Sequence, residues 1–170
     1  MHVDEVLRDI AATVRGSRED VEDKVRELVE RAKRLEKEVQ QLKSKLTTGQ
    51  NSDLTSLAKD VGGIHVLAAR IEGADAKMLR DSMDQLRSKL GSSVIVLGSV
   101  NDGKVVLVAG VSADLLPRFK AGEIVGAVAA QVGGRGGGRA DFAQAGGTQP
   151  ENLAAALADV ESLVRRQAAN

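Results

Sequence analysis

Two hydrophobic periods divide the chain. Val21, Val25, Leu28, Ala32, Leu35, Val39, Leu42 and Leu46 alternate in steps of four and three, the heptad repeat of a coiled-coil seam along one long helix. Leu7 and Val14 keep that phase upstream, with Ile10 one residue off it. Gly16 and Ser17 interrupt, and Ser17 with Asp20 has the form of a capping box that opens a new helix. The pattern predicts a helical arm over residues 1–48, a short helix and then a long one, followed by a linker over 49–61 that holds the turn formers Gly49, Asn51 and Ser52.

Beyond residue 62 the period changes. Gly63–Ile71 (GIHVLAARI) and Ser93–Val100 (SVIVLGSV) read as buried strands, and between them Leu79, Met83, Leu86 and Leu90 mark a helix closed by Gly91. Asn101, Asp102 and Gly103 form a tight-turn signal before Lys104–Val111 (KVVLVAGV), which predicts an antiparallel hairpin. Two further helices are expected, Ala121–Val132 with Ile124, Val125 and Val128 inward, and Glu151 to Arg166 with Leu153, Leu157, Val160 and Val164 inward. The fold class predicted is α+β: a long helical, coiled-coil arm followed by a small mixed-sheet α/β globular domain over 62–170.

On the arm, Glu22 with Arg26, Glu27 with Arg31, and Glu30 with Arg34 stand four apart in the favoured acid-before-base order. The seam of Val21, Val25, Leu28, Leu35, Val39 and Leu42 suits two partners equally, since heptads alone do not name one. It can fold back on its own globular domain or meet a second copy in a homodimer.

Composition narrows the chemistry. The chain has no cysteine, which excludes a disulfide, a thiolate zinc site and a cysteine nucleophile and favours a cytoplasmic setting. No apolar run approaches the ~20 residues of a membrane span, so no membrane partner is expected. Lys plus Arg equals Asp plus Glu at 24 each, so anion binding has to come from a local patch. Phe119 and Phe142 are the only aromatic residues, too few for a base-stacking platform. With His2 and His65 as the only histidines, neither a metal centre nor a catalytic constellation assembles; His65 reads as an ordinary strand residue. No GxxxxGK[ST] or GxGxxG fingerprint occurs, so no cofactor is expected.

The remaining unusual stretch is 133–147, GGRGGGRADFAQAGG, read as a glycine-rich loop between the last two helices. Consecutive glycines let bare backbone N–H groups approach a phosphate, and Arg135 and Arg139 can clamp phosphate oxygens bidentately. Lys104, Arg118, Lys120, Arg135 and Arg139 stand against only Asp114 and Glu123 between residues 104 and 139. Equally, the glycines can serve only tight turns and close packing of chain against chain.

KAGEIVGAVAAQVGGRGGGRADFAQAGG, Lys120–Gly147, resembles the C-terminal region of bacterial alanyl-tRNA synthetases, whose globular part is the DHHA1-type domain. The matching features are the lysine-alanine-glycine helix start, the glycine-rich loop and the closing alanine-glutamine-alanine-glycine-glycine. MLRDSMDQLRSKLGSSVIVLGSV, KVVLVAGVS and the charged arm extend the likeness over nearly the whole chain. Ala140 stands where the family commonly has proline and Phe142 where it commonly has methionine, which bears on loop rigidity and local packing.

The resemblance implies a module that binds the outer corner of alanine-specific tRNA, where the D and T loops meet, and helps to form a homodimer. It would support aminoacylation and editing by domains that precede this segment in a full-length enzyme, so the fragment itself is not expected to be an enzyme. Carried over to this sequence, Gly136, Gly137, Gly138 and Arg139 are the first expected RNA contacts. Arg135, Lys104 and Lys120 follow from charge, and Asp141 and Gln144 are expected to pin the loop. The competing expectations are a purely structural dimerisation module and a general nucleic-acid (DNA) binding domain.

Overall fold

A computed structural model describes residues 2–170, with side chains for all of them except 46–52. The chain divides into two compact units, residues 1–45 and 46–170.

The first unit holds α1 (His2–Thr13), a turn and the greater part of the long helix α2 (Val21–Thr55). Arg15 ends α1 in the left-handed region, at φ 57°. Ser17 and Asp20 bond to each other as the capping pattern requires: the Ser17 hydroxyl donates to Asp20 Oδ2 at 2.7 Å, and the Asp20 N–H donates to Ser17 Oγ at 3.3 Å. Arg18 reaches back to Asp4, at 3.1 Å from Oδ1, and ties α1 to the turn. On α2, Arg26 pairs with Glu22 at 2.8 Å, whereas Glu27 joins Lys24 and Glu30 joins Lys33, each at 3.6 Å, in place of the expected Arg31 and Arg34. The expected seam is an exposed apolar stripe: Val25, Leu28, Leu35, Val39 and Leu42 are 40–60% exposed, so nothing within the arm covers them. Val21 is partly buried at the start of α2, and the Leu46 side chain lies outside the described residues.

The linker expected over 49–61 is corrected. α2 continues to Thr55, Leu54 and Ala58 pack on the core of the globular domain, and Lys59–Val61 forms a strand, β1. The turn formers Gly49, Asn51 and Ser52, on which the linker rested, lie outside the residues with described side chains. β1 was hidden because three residues are too few to show a period.

The globular domain is built on a six-stranded mixed sheet in the order β1-β2-β3-β4-β6-β5. β2 (Ile64–Arg70) and β3 (Ser93–Asn101) run parallel, joined by α3 (Ala76–Leu90), and every other pair is antiparallel. Asp75 caps α3 by accepting from the Met78 N–H at 2.8 Å, and Gly91 ends it at φ 68°. β4 (Lys104–Val111) pairs with β3 through the Asp102–Gly103 turn, both residues at positive φ.

Each face of the sheet carries its own core. Leu79, Met83 and Leu86 of α3 meet Leu67, Ile95, Leu97 and Val108 on one side. On the other, α4 (Ala121–Gln131), α5 (Leu153–Ala158) and α6 (Val160–Ala168) cover Val66, Val94, Val96, Val105 and Leu107 around Phe119. The last expected helix is thus two, broken at Asp159. The stretch 133–147 is a second correction: it is a hairpin of β5 (Arg135–Gly138) and β6 (Phe142–Gly147), not a loop. Glycine disfavours strands, which concealed β5, yet β4 is apolar and largely buried from Val105 to Val111 and needs a ladder partner on its second side, and β6 supplies it.

Candidate nucleic-acid interface

The hairpin is anchored at its base. Gly133 leaves α4 at φ 67°, the Gly134 N–H donates to Ala129 O at 2.9 Å, and the Thr148 and Gln149 N–H groups both donate to Val132 O at 2.9 Å. At its tip the Arg139 N–H donates to Phe142 O at 2.9 Å, and the Ala121 N–H at the start of α4 donates to Ala140 O at 2.8 Å.

Strand alternation sorts the Arg-Gly-Gly-Gly-Arg run between two faces, because directly opposed residues project to the same side of a sheet. Ala143 and Ala145 pack in the core beneath α4, so their partners Gly138 and Gly136 face that helix. Both are closed in. A Cβ on Gly136 would lie 2.1 Å from Ala145 Cβ, and one on Gly138 would lie 2.7 Å from Ala143 Cα. Gly122 of α4 in turn approaches Gly138 so closely that a Cβ there would sit 3.2 Å from the Gly138 carbonyl oxygen. Packing accounts for these glycines, and for Gly134, whose Cβ would run into the Gly146 carbonyl.

The opposite face differs. Phe142 belongs to the core beneath α3, so Gln144 and its partner Gly137 project to that side, with Arg135 two residues before Gly137 and Arg139 two after. Gly137 has ordinary φ, and a Cβ added to it would meet nothing within 4 Å. With Gly138, Arg139, Phe142, Ala143 and Gln144 it lines an open groove of about 280 Å³ whose far wall is Arg80 of α3. The Arg80 guanidinium lies 4.8 Å from the centre of the Phe142 ring. Arg87, seven residues and so about two helical turns on, lies over Gly110, where an added Cβ would stand 3.3 Å from the Arg87 Cδ.

The expected contacts are therefore brought together only in part. Arg135, Gly137 and Arg139 share the α3 face, and Lys104 joins them at the start of β4 by the same alternation, since Val105 faces the other core. Gly136 and Gly138 turn toward α4. Lys120 stands at the start of that helix, 3.7 Å from Glu123. Arg139 is exposed and holds Asp141 at 3.3 Å, so Asp141 pins the tip, whereas Gln144 is exposed in the groove. Arg118 leaves the group: it lies 5.6 Å from the Phe119 ring centre and donates to Ala168 O at 3.2 Å. Arg80 and Arg87 were missed because only the docking of α3 over β4 and β6 brings them to this surface; their seven-residue spacing on one helix was the available signal.

Elsewhere, no group of three or more His, Cys, Asp or Glu among the described residues could hold a metal ion. Among the same residues no helix is long and apolar enough to cross a membrane. His65 is a partly buried strand residue opposite Asp60. Asp114 is held below the usual carboxylate range by hydrogen bonds from the Ser92 and Ser112 hydroxyls, and Glu161 by Lys59 and Arg165. Neither lies on the hairpin.

The comparisons agree with this architecture. An alanine–tRNA ligase from Ralstonia nicotianae is 51% identical over 165 residues, 97% of this chain and 19% of its own length. One from Dechloromonas aromatica is 52% identical over 162 residues, 95% of this chain and again 19% of its own. The chain thus spans about a fifth of the length of these relatives. The crystal structure of the C-Ala domain from Aquifex aeolicus alanyl-tRNA synthetase superposes with a TM-score of 0.57 at 29% identity, covering 65% of this chain and 96% of that domain. The DHHA1 domain family matches residues 63–166, from the start of β2 to within α6. This chain belongs to the DHHA1 domain family and is homologous to the matching portion of bacterial alanine–tRNA ligases.

Proposed function

We propose that the chain is a tRNA-binding module of an alanine–tRNA ligase, and that it holds folded tRNA through the sugar-phosphate backbone at the outer corner where the D and T loops meet. The observation that carries this reading is Gly137. Alone among the glycines from 133 to 138 it has neither a positive φ nor a neighbour that a side chain would strike. Packing and turn geometry therefore do not require it, whereas a flat surface for a bulky polyanion does. Arg135 and Arg139 flank it on the same face, four residues apart and so roughly 13 Å along the strand, on the order of two nucleotide steps. Backbone recognition of this kind needs cations and bare amides and little base stacking, which suits a domain with two phenylalanines, both used in its cores. Aminoacylation and editing belong, on this reading, to the rest of the ligase, and the chain supports both by holding the tRNA.

The exposed stripe of α2 favours a second role, pairing with another copy of the chain in a homodimer, because a stripe of five large apolar side chains is left uncovered within the arm. The closed packing of Gly134, Gly136 and Gly138 is what a purely structural module would also show. The two are separated by replacing Arg135 and Arg139 together with alanine. The tRNA-binding reading expects weaker binding and a shallower dependence of log affinity on log salt, by roughly 0.7–0.9 for each phosphate that the protein no longer neutralises. An unchanged salt slope favours the structural module.

A further inference from the structure

The groove beside Gly137 has a second wall. Arg80 projects from α3 across Phe142, and among the described arginines of the domain only Arg80 combines a ring contact with the lack of a carboxylate or carbonyl partner. Arg139 is engaged by Asp141, Arg70 by Glu72, Arg165 by Glu161, and Arg166 by Asp159. Arg118 also stacks on a phenylalanine, but it donates to a backbone carbonyl. Arg80 is exposed and stacked, and among the described residues it has neither a carboxylate nor a carbonyl partner. Stacking takes one flat face of a guanidinium and leaves its N–H edge free, with the side chain already held in place.

We propose that Arg80 is an RNA-phosphate ligand positioned by Phe142, so that the bound backbone crosses the α3 face of the β5–β6 hairpin between Arg80 and Gly137. This rests on the tRNA-binding reading and adds the face and the residue. On the opposite face α4 narrows the approach to β5, since a Cβ on Gly122 would stand 3.2 Å from the Gly138 carbonyl oxygen and one on Gly126 would stand 3.9 Å from that of Gly136. On the α3 face the missing Cβ of Gly137 leaves the floor open, and Arg80, Arg139 and Gln144 line the same groove. Phosphate is the moiety that fits: a planar fork of N–H donors matches two phosphate oxygens, and among the described residues no carboxylate lines the groove, Asp141 standing behind Arg139. Phe142 is a positioning residue here. It is 8% exposed, so its ring serves the core while the Arg80 guanidinium lies over it.

The test is an equilibrium titration of folded tRNA into the full chain at two salt concentrations, for the wild type, Arg80→Ala, Arg80→Lys and Arg118→Ala. Arg118→Ala removes the other stacked arginine, away from the groove. Circular dichroism melts establish that all four are folded. Arg80→Ala is expected to bind roughly ten-fold more weakly at low salt, with a slope shallower by about 0.7–0.9, the signature of one phosphate fewer neutralised. Arg80→Lys is expected to keep the slope and recover part of the affinity, because the charge remains and the planar fork does not. Arg118→Ala is expected to match the wild type. Wild-type binding with Arg80→Ala indistinguishable from it, or Arg80→Ala and Arg118→Ala weakened alike, overturns the assignment and leaves the tRNA reading standing. Failure of the wild type itself to bind tRNA overturns both.

Discussion

Gly136 and Gly137 are adjacent in sequence and opposite in circumstance, so the same substitution at each separates folding from binding. In Gly136→Ala the new methyl would stand 2.1 Å from Ala145 Cβ and 2.4 Å from both Ala145 Cα and the Gln144 carbonyl oxygen. The obstacles are backbone and a β-carbon, neither of which can rotate away, so the hairpin has to shift against β6. Overpacking of this kind costs about 1–3 kcal/mol, and a rigid backbone obstacle places Gly136 toward the upper end. For a chain of this size that is a fall in melting temperature of roughly 4–12 °C. In Gly137→Ala the methyl meets nothing within 4 Å and the φ is ordinary, so the folded state accepts it. Restricting the unfolded chain then stabilises the domain by about 0.4–1 kcal/mol, while the methyl stands on the proposed binding surface and weakens tRNA binding. Urea unfolding of both variants, followed by tRNA titration of each, gives the comparison. A Gly136→Ala protein as stable as the wild type would refute the packing argument, and Gly137→Ala that binds tRNA as the wild type does would refute the role given to that glycine.

Three further outcomes follow from the same structure. Asp75→Ala removes the side-chain acceptor for the Met78 N–H at the start of α3 and should lower stability by about 1 kcal/mol, with Asp75→Asn retaining most of it, measured by denaturant midpoint. Asp114 has a folded pKa lowered chiefly by the Ser92 hydroxyl and then by Ser112; the stabilisation is present above the ordinary carboxylate range and is lost as pH falls through the folded value. Ser92→Ala should therefore flatten the acid limb of a melting-temperature profile run from about pH 6 to about pH 3, and an unaltered limb would count against the bond. Leu28→Glu with Leu35→Glu on the α2 stripe should shift sedimentation of the chain toward monomer while leaving the melt of the globular domain in place; a wild type already monomeric at high concentration removes the homodimer from the account.

The strands that bury their residues on both faces were legible as continuous apolar runs: Ser93–Val100 and Lys104–Val111 match β3 and β4 to within a residue, and Gly63–Ile71 brackets β2. α3 was fixed by its period and by its closing Gly91, whereas its opening cap, Asp75, emerged only from the structure. What escaped was structure supported by neighbours instead of by composition. β5 is Arg-Gly-Gly-Gly, which no propensity would make a strand; it exists because β6 offers it a ladder and approaches so closely at Gly136 and Gly138 that only glycine fits. β1 is too short to show a pattern, and the turn formers around residue 50 outweighed the apolar Leu54 and Ala58 that join the domain. For the site, the glycine-arginine run was visible but its division between two faces was not, because a loop has no alternation. Arg80 carried only its seven-residue spacing from Arg87 until α3 was placed over Phe142.

The most direct test of the central claim is a titration of the purified chain with folded tRNA at two salt concentrations, with duplex DNA and an unrelated single-stranded RNA as competitors. Binding that prefers folded tRNA over both competitors and weakens steeply with salt is the predicted result. Equal binding to all three would reduce the hairpin to a general phosphate patch, and no binding would contradict the claim.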